Sequence, residues 1–360
     1  MNPLAAILEK QAFSRQDIIT LLSAADRESH EAIIKKAYSI KEKTVGKVAY
    51  LRGLIEFSNA CKKNCLYCGI RKGNKEVSRY TLTDTEVLNT LEFALSNRFN
   101  GLVLQSGEMT GAVFTERITR LIQKIKKRAG NDFRITLSLG EQSPETYRQW
   151  FGAGAQRYLL RIETASQELY RKIHPDDDMH RYDKRLQCLS DLKAAGYQVG
   201  TGVMIGLPFQ TNGDMASDLL FMKSMDIDMV GMGPYIEHAG TPLYTYRYAL
   251  MPLKERFALS LRMISVLRMM MPFINIASTT ALQTIEQTGR EQGLKAGANV
   301  LMPNITPGKY RSSYLLYENK PSINDDAEEC LECLASRVQA AGEEIDLNHY
   351  GDSEHFRRRG

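Results

Sequence analysis

The chain has 360 residues, 43% hydrophobic and 25% charged, which excludes a disordered or fibrous protein and provides for a large core. Its net charge of +5 is small for this size and calls for no nucleic-acid partner, so the basic runs at 124–128 and 357–359 read as a solvated helix face and a frayed tail. No apolar run reaches the ~20 residues of a membrane helix, and residues 1–15 lack a signal-peptide pattern, so a cytoplasmic protein without a membrane partner is expected.

Residues 17–43 place Ile18, Ile19, Leu22, Ile33, Ile34, Ala37 and Tyr38 at near-helical spacing, which predicts a helical cap over 1–46. From residue 47, apolar β-like runs alternate with amphipathic stretches. The expected strands are 48–57, 101–105, 134–139, 157–162, 198–205, 228–235, 273–278 and 299–302. Helices fit between them at 83–97, 115–128, 183–195, 214–225, 253–270 and 284–295. The joints at 152–160, 194–199 and 295–301 repeat a glycine just past a helix followed by an apolar run. Eight βα alternations predict an α/β fold, a complete (β/α)8 TIM-type barrel over 47–306; the rival is an open doubly wound sheet. The alternation ends there, and 307–360 is expected to form a C-terminal extension with one helix at 326–341.

Six cysteines are too few for a disulfide scaffold, and five fall in two tight groups, as in a metal site or redox motif. The run Cys61-Lys-Lys-Asn-Cys65-Leu-Tyr-Cys68 follows the first strand directly. Three thiolates so placed can each bind one iron of a 4Fe–4S cluster and leave the fourth iron without a protein ligand. An open position is what a catalytic metal needs. The alternative is a zinc knuckle that borrows Cys188 or a distant cysteine.

A C-x3-C-x2-C spacing with an aromatic before the last cysteine resembles the radical S-adenosylmethionine (radical SAM) superfamily signature. That resemblance implies an enzyme that binds a 4Fe–4S cluster and SAM, with Tyr67 near the adenine. In such a barrel the site is built at the C-terminal ends of the strands. Polar or glycine-containing residues stand there: Gln105, Ser106 and Glu108; Ser138 and Glu141; Arg161 and Glu163; 202–208, including Gly206 and Leu207; Ser278, Thr279 and Thr280; and Met302 and Asn304. Glu163 suits the ribose hydroxyls, the 202–207 backbone a flat adenine, and Arg185 the methionine carboxylate. Arg161 with Glu163 also reads as an ion pair at the barrel end.

Longer runs carry the likeness further: 56–71, 104–108, 137–141, 158–165, 229–234, 278–281 and 297–304. Together they resemble the HydE family, the radical SAM maturases of FeFe-hydrogenase, over about residues 45–340, with methylornithine synthase (PylB) and biotin synthase as relatives. The resemblance implies that Ser138, Glu163 and Arg185 contact SAM or substrate. It implies that Thr136, Arg161, Thr279, Thr280, Met302, Tyr314 and Tyr317 line the substrate cavity. It further implies an amino-acid-like substrate carrying sulfur, a flavodoxin- or ferredoxin-type electron donor, and sister maturases as partners. A methylornithine-synthase-like mutase acting on a small amino acid is the alternative. Two positions depart from the family: Ile162 stands where members have histidine, and the C-terminal region holds only Cys330 and Cys333, with Ser322 where a third cysteine aligns. A second cluster is therefore not expected there.

Overall fold

The computed structural model describes residues 3–321 and 327–359, the side chains of residues 3 and 327–332 excepted. Its core is one parallel sheet of β1 (Val48–Leu51), β2 (Gly53–Ser58), β3 (Gly101–Ser106), β4 (Arg134–Ser138), β5 (Arg157–Leu159), β6 (Gln198–Thr201), β7 (Met204–Ile205), β8 (Met229–Pro234), β9 (Asn275–Ser278), β10 (Val300–Leu301) and β11 (Glu344–Ile345). The order is β11-β1-β10-β9-β8-β6-β5-β4-β3-β2, with β7 paired to β8. Strands 3 to 5, for example, step in register through Val103–Thr136 and Thr136–Arg157.

The complete closed barrel expected from the alternation does not form. The sheet is an open, strongly curled half-barrel with edges 13 Å apart. The first expected strand breaks at Arg52, so β1 pairs back to β10 while β2 pairs forward to β3. β10 is two residues long, and Pro303 just beyond it has no N–H to extend a ladder. Past that proline the pairing to β2 is reduced to an isolated bridge between Leu54 and Asn304. Counting alternations registers eight units but not whether the outermost strands zip together along their full height.

Helices cover the outer face because their apolar stripes match the outward valines, leucines and isoleucines of the strands. Thr83 caps the helix Asp84–Ser96 and Ser143 caps the helix Pro144–Ala153, each side chain accepting an orphan backbone N–H. Three helices, Pro3–Leu8, Arg15–Ser23 and Arg27–Thr44, occupy the N-terminal segment. They dock on the outside of the barrel helices, where Arg262 donates to the Leu22 carbonyl at 3.0 Å and Arg15 to the Gly213 carbonyl at 3.0 Å.

The C-terminal extension does two jobs that its sequence did not reveal. β11 adds itself beside β1, and the fully buried Lys41–Glu343 pair, 2.6 Å apart, ties it to the N-terminal helices. Asp352 then closes the floor under the strands. It takes Arg157 at 2.6 Å, Arg134 at 3.0 Å and the Gln198 amide at 2.8 Å, and these guanidiniums hold its carboxyl well below the ordinary carboxylate range despite burial. The strand ends left free for chemistry are therefore the C-terminal ones. Among the described residues no helix is long and apolar enough to cross a membrane.

Candidate active site

Cys61, Cys65 and Cys68 sit on the loop that leaves β2, and all three line one cavity of about 360 Å³ at the C-terminal ends of the strands. A loop without ladder partners must satisfy its polar backbone elsewhere. Arg79 does much of this, donating to the carbonyls of Asn59, Ile70 and Arg71 at 2.7 Å each and of Asn74 at 3.1 Å. The Asn64 N–H donates to His180 Nε2 at 2.9 Å, the Leu66 N–H to the Ile173 carbonyl at 3.0 Å, and the Gly69 N–H to the Leu316 carbonyl at 3.0 Å. Gly107 lets the loop come close, since a Cβ there would lie 2.4 Å from the Ala60 carbonyl oxygen.

The sulfurs suit an iron–sulfur cluster. Burial pushes the Cys65 thiol up to about 12, and it raises Cys61 and Cys68 as well, so ionisation waits for a positive group to bind. The Glu108 N–H already points at Cys61 Sγ, 3.3 Å away. Among the described residues no three His, Cys, Asp or Glu side chains converge on one point as a single metal ion requires. A 4Fe–4S cubane would take each of the three thiolates on a different iron. Cys188, the ligand a zinc knuckle would borrow, lines a different cleft and lies 3.8 Å from the Gln142 carbonyl.

Around the cysteines the cavity gathers Tyr67, Gln105, Ser106, Ser138, Arg161, Glu163, Arg185, Thr279, Thr280, Met302, Tyr314 and Tyr317. Glu163 is one of five described non-glycine residues with positive φ, at +65°. Such backbone costs of order 1–3 kcal/mol and persists where the surroundings impose it. Its carboxylate is gripped by Arg161, Nε to Oε1 at 2.9 Å and Nη2 to Oε2 at 2.9 Å, while the remaining Arg161 donors reach the Gly231 and Val203 carbonyls. Ile162, between Arg161 and Glu163 in the chain, is buried in the apolar core and not on the cavity wall. Thr280 Oγ1 and Tyr317 OH lie 3.0 Å apart, and Gln105 Nε2 donates to Tyr314 OH at 3.3 Å. The Tyr67 hydroxyl is 3.3 Å from His174 Nε2, and burial pushes that imidazole down to about 3, so it is neutral and can accept.

Three expected residues lie off the cavity wall. Thr136 is two residues below Ser138 on β4, fully buried, with Oγ1 unpartnered. Gly206 makes a left-handed turn at φ +80°, where a side chain would collide with Arg256, and its N–H donates to Gln210 Oε1 at 2.7 Å. Leu207 packs behind the cavity with Leu169, Ile173, Tyr235 and Leu243, against Leu66 and Tyr67.

Sequence reasoning missed a buried charge network. Lys63, inside the cysteine motif, lies 2.9 Å from Glu141 and 3.2 Å from Glu108. Arg185 lies 2.6 Å from Glu141 and 3.9 Å from Glu108, and also donates to the Arg161 carbonyl at 2.6 Å. Burial pushes Glu141 up, but Arg185 and Lys63 together outweigh it and hold the carboxyl below its ordinary value. Arg185 is therefore a braced cation on the cavity wall. A second missed group is Glu56 on β2, buried against Lys320 and 3.0 Å from Asn304 Nδ2. Lys63 in Cys61-Lys-Lys-Asn-Cys65 and the acids Glu108 and Glu141 just past two strands were visible; their pairing was not.

Radical SAM superfamily sequence features match residues 55–222. The [FeFe] hydrogenase maturase subunit HydE of Thermotoga maritima is 43% identical over 335 residues, 93% of this chain and 92% of that one. This chain belongs to the HydE family of radical SAM enzymes. HydE-family membership implies a 4Fe–4S cluster and SAM, and the cysteine loop above fits that donor set. The family's wider kinship is evident in 3-methylornithine synthase of Methanosarcina barkeri, 30% identical over 84% of this chain and 82% of its own. The crystal structure of methylornithine synthase (PylB) superposes with a TM-score of 0.78 at 25% identity, over 95% of this chain and 97% of that one.

Proposed function

We propose that this enzyme cleaves SAM reductively and directs the resulting radical at a sulfur-containing, cysteine-derived substrate during assembly of the FeFe-hydrogenase active-site cluster. The observation that carries the reading is one cavity lined both by the three cysteines and by hydroxyl, thioether and phenol side chains, in a chain 43% identical to a HydE. When bound by Cys61, Cys65 and Cys68, a 4Fe–4S cluster supplies the electron that splits SAM into methionine and a 5′-deoxyadenosyl radical.

The chain's own residues bind, orient and shield. Glu163, neutralised by Arg161, offers carboxylate oxygens to the ribose hydroxyls, and Tyr67 offers its ring to the adenine. Arg185 and Lys63 supply positive charge for the methionine carboxylate while Glu108 and Glu141 hold them in place. Thr279 and Thr280 present hydroxyls to a substrate carboxylate, and Met302, Tyr314 and Tyr317 give a softer wall to sulfur. A flavodoxin- or ferredoxin-type protein delivers the electron, and sister maturases pass substrate and product.

The test is product analysis after anaerobic turnover. A cysteine-derived thioether or iron-bound cysteine precursor is expected to stimulate SAM cleavage and yield an adenosyl–sulfur adduct. Methylornithine formed from lysine, with thioethers inert, would replace this reading by the mutase one. Restored hydrogenase activity in a cell-free mixture with apo-hydrogenase and the sister maturases checks the place in assembly.

A further inference from the structure

Asp218 is a fully buried carboxylate on the helix Asn212–Ser224, whose other buried residues are Met215, Ala216, Leu219 and Met222. An apolar side chain suits that face, and a buried carboxylate is costly unless it is well paired. The hydrogen bonds it accepts come from two neutral donors on one oxygen: the Ala165 N–H at 2.5 Å and the Thr164 hydroxyl at 3.2 Å, with Oδ2 buried and unpartnered. Nothing in the mechanism above uses this group.

Its two donors follow Glu163, the residue with left-handed backbone. Upstream, Glu163 is fixed by its N–H to the Gly202 carbonyl at 2.9 Å and by its carbonyl accepting from the Met204 N–H at 3.2 Å. Downstream, the turn is held by Asp218 and by the Tyr182 hydroxyl, which donates to the Ala165 carbonyl at 2.7 Å. With its hydrogen committed to Asp218, the Thr164 oxygen accepts from the Ser166 N–H at 3.2 Å. Ser166 then caps the helix Gln167–Ile173 through the Leu169 N–H. The last carbonyl of that helix receives the Leu66 N–H of the cysteine loop, and His174 just beyond it meets the Tyr67 hydroxyl.

We propose that Asp218 is the positioning residue of the SAM site: one buried oxygen fixes the turn that aims Glu163 at the ribose and starts the helix that seats Leu66 and Tyr67. It rests on the reading that Glu163 holds SAM. Its effect reaches the nucleoside through Glu163 and Tyr67 and never by contact.

The test measures SAM affinity by equilibrium titration of the cluster-reconstituted enzyme, with iron content and thermal unfolding alongside. Asp218→Ala and Thr164→Val are expected to raise the SAM dissociation constant about tenfold, the equivalent of one hydrogen bond at 1.4 kcal/mol per decade. Asp218→Asn keeps an acceptor oxygen and is expected to stay within about twofold of the parent. Parental affinity in Asp218→Ala with full iron content overturns the proposal, and so does an Asp218→Asn enzyme as weak as Asp218→Ala. If Asp218→Ala fails to take up iron, Thr164→Val decides alone: it deletes the donor to Asp218 and the acceptor of the Ser166 N–H and leaves the Ala165 bond, so parental affinity in it overturns the proposal. Glu163→Gln separates the two levels. If it binds SAM normally, the SAM reading fails and the proposal with it; if it binds weakly while Asp218→Ala and Thr164→Val do not, only the proposal fails.

Discussion

Replacing Glu141 with glutamine perturbs the site's most concentrated electrostatics. Its two oxygens accept charged hydrogen bonds from Arg185 at 2.6 Å and Lys63 at 2.9 Å, and its side chain is 2% exposed. Bonds to charged groups contribute about 1.5–3 kcal/mol each, so the gross loss is roughly 3–6 kcal/mol. Two effects reduce it. Glutamine keeps one acceptor oxygen, and Glu108, already 3.2 Å from Lys63 and 3.9 Å from Arg185, can move closer. The expected net cost is about 2–4 kcal/mol, near the ~3–5 kcal/mol for stripping one partner from a buried ion pair. Urea unfolding of the apo-protein measures it without the cluster in the equilibrium. A second variant, Lys63→Met with Glu141→Gln, removes one stranded charge and is expected to recover at least about 1 kcal/mol relative to additivity. A single-variant cost below about 0.5 kcal/mol, the range of ordinary surface changes, refutes the idea that this network braces the cysteine loop.

Cys65→Ala is expected to abolish both the reconstituted cluster's absorbance and reductive SAM cleavage, and retained cleavage would place the cluster elsewhere. Arg161→Ala strips Glu163 of its bidentate partner, so SAM and substrate binding should weaken together by about 1.5–3 kcal/mol. Loss of substrate affinity with normal SAM titration would remove the Arg161–Glu163 pair from the SAM site. Burial pushes the Asp218 carboxyl up to about 7 from 3.8, so the native state keeps a proton that the unfolded chain releases between those values. Stability from this group is thus present at low pH and lost as pH rises through about 4 to 7. Asp218→Asn should remove that part of the slope in unfolding measured at about pH 5 and about pH 8; equal slopes in parent and variant would mean that the carboxyl titrates normally.

Much of the site was legible before any coordinates. Thiolate chemistry demands cysteines, and a strand-to-loop junction confines them, so Cys61, Cys65 and Cys68 declare themselves by spacing. The period of apolar residues along 101–105 or 134–139 reports a buried parallel strand because every such residue must find cover. Ile162 was expected to face away from Arg161 and Glu163, and it does, although β5 ends before all three.

What tertiary structure alone decided are facts about pairs distant in sequence. Closure of the barrel depended on whether β10 and β2 continue one ladder past Pro303, a question of registry between segments some 250 residues apart that local periodicity does not encode. The bracing of Arg185 was not visible because its partners Glu141 and Glu108 lie beyond the ends of two strands distant in sequence, and a charge's availability depends on its neighbours rather than on its type. Asp218 gave no signal at all: one carboxylate in a helix is usually a solvated face, and only burial against Thr164 and Ala165 makes it matter. Sequence determined which chemical groups this protein carries and the rhythm of its elements, because both follow from residues taken a few at a time. Three-dimensional packing decided which charges are spent on one another and which face the cavity, because Coulomb and hydrogen-bond energies depend on distances of a few ångströms that the order of residues does not set.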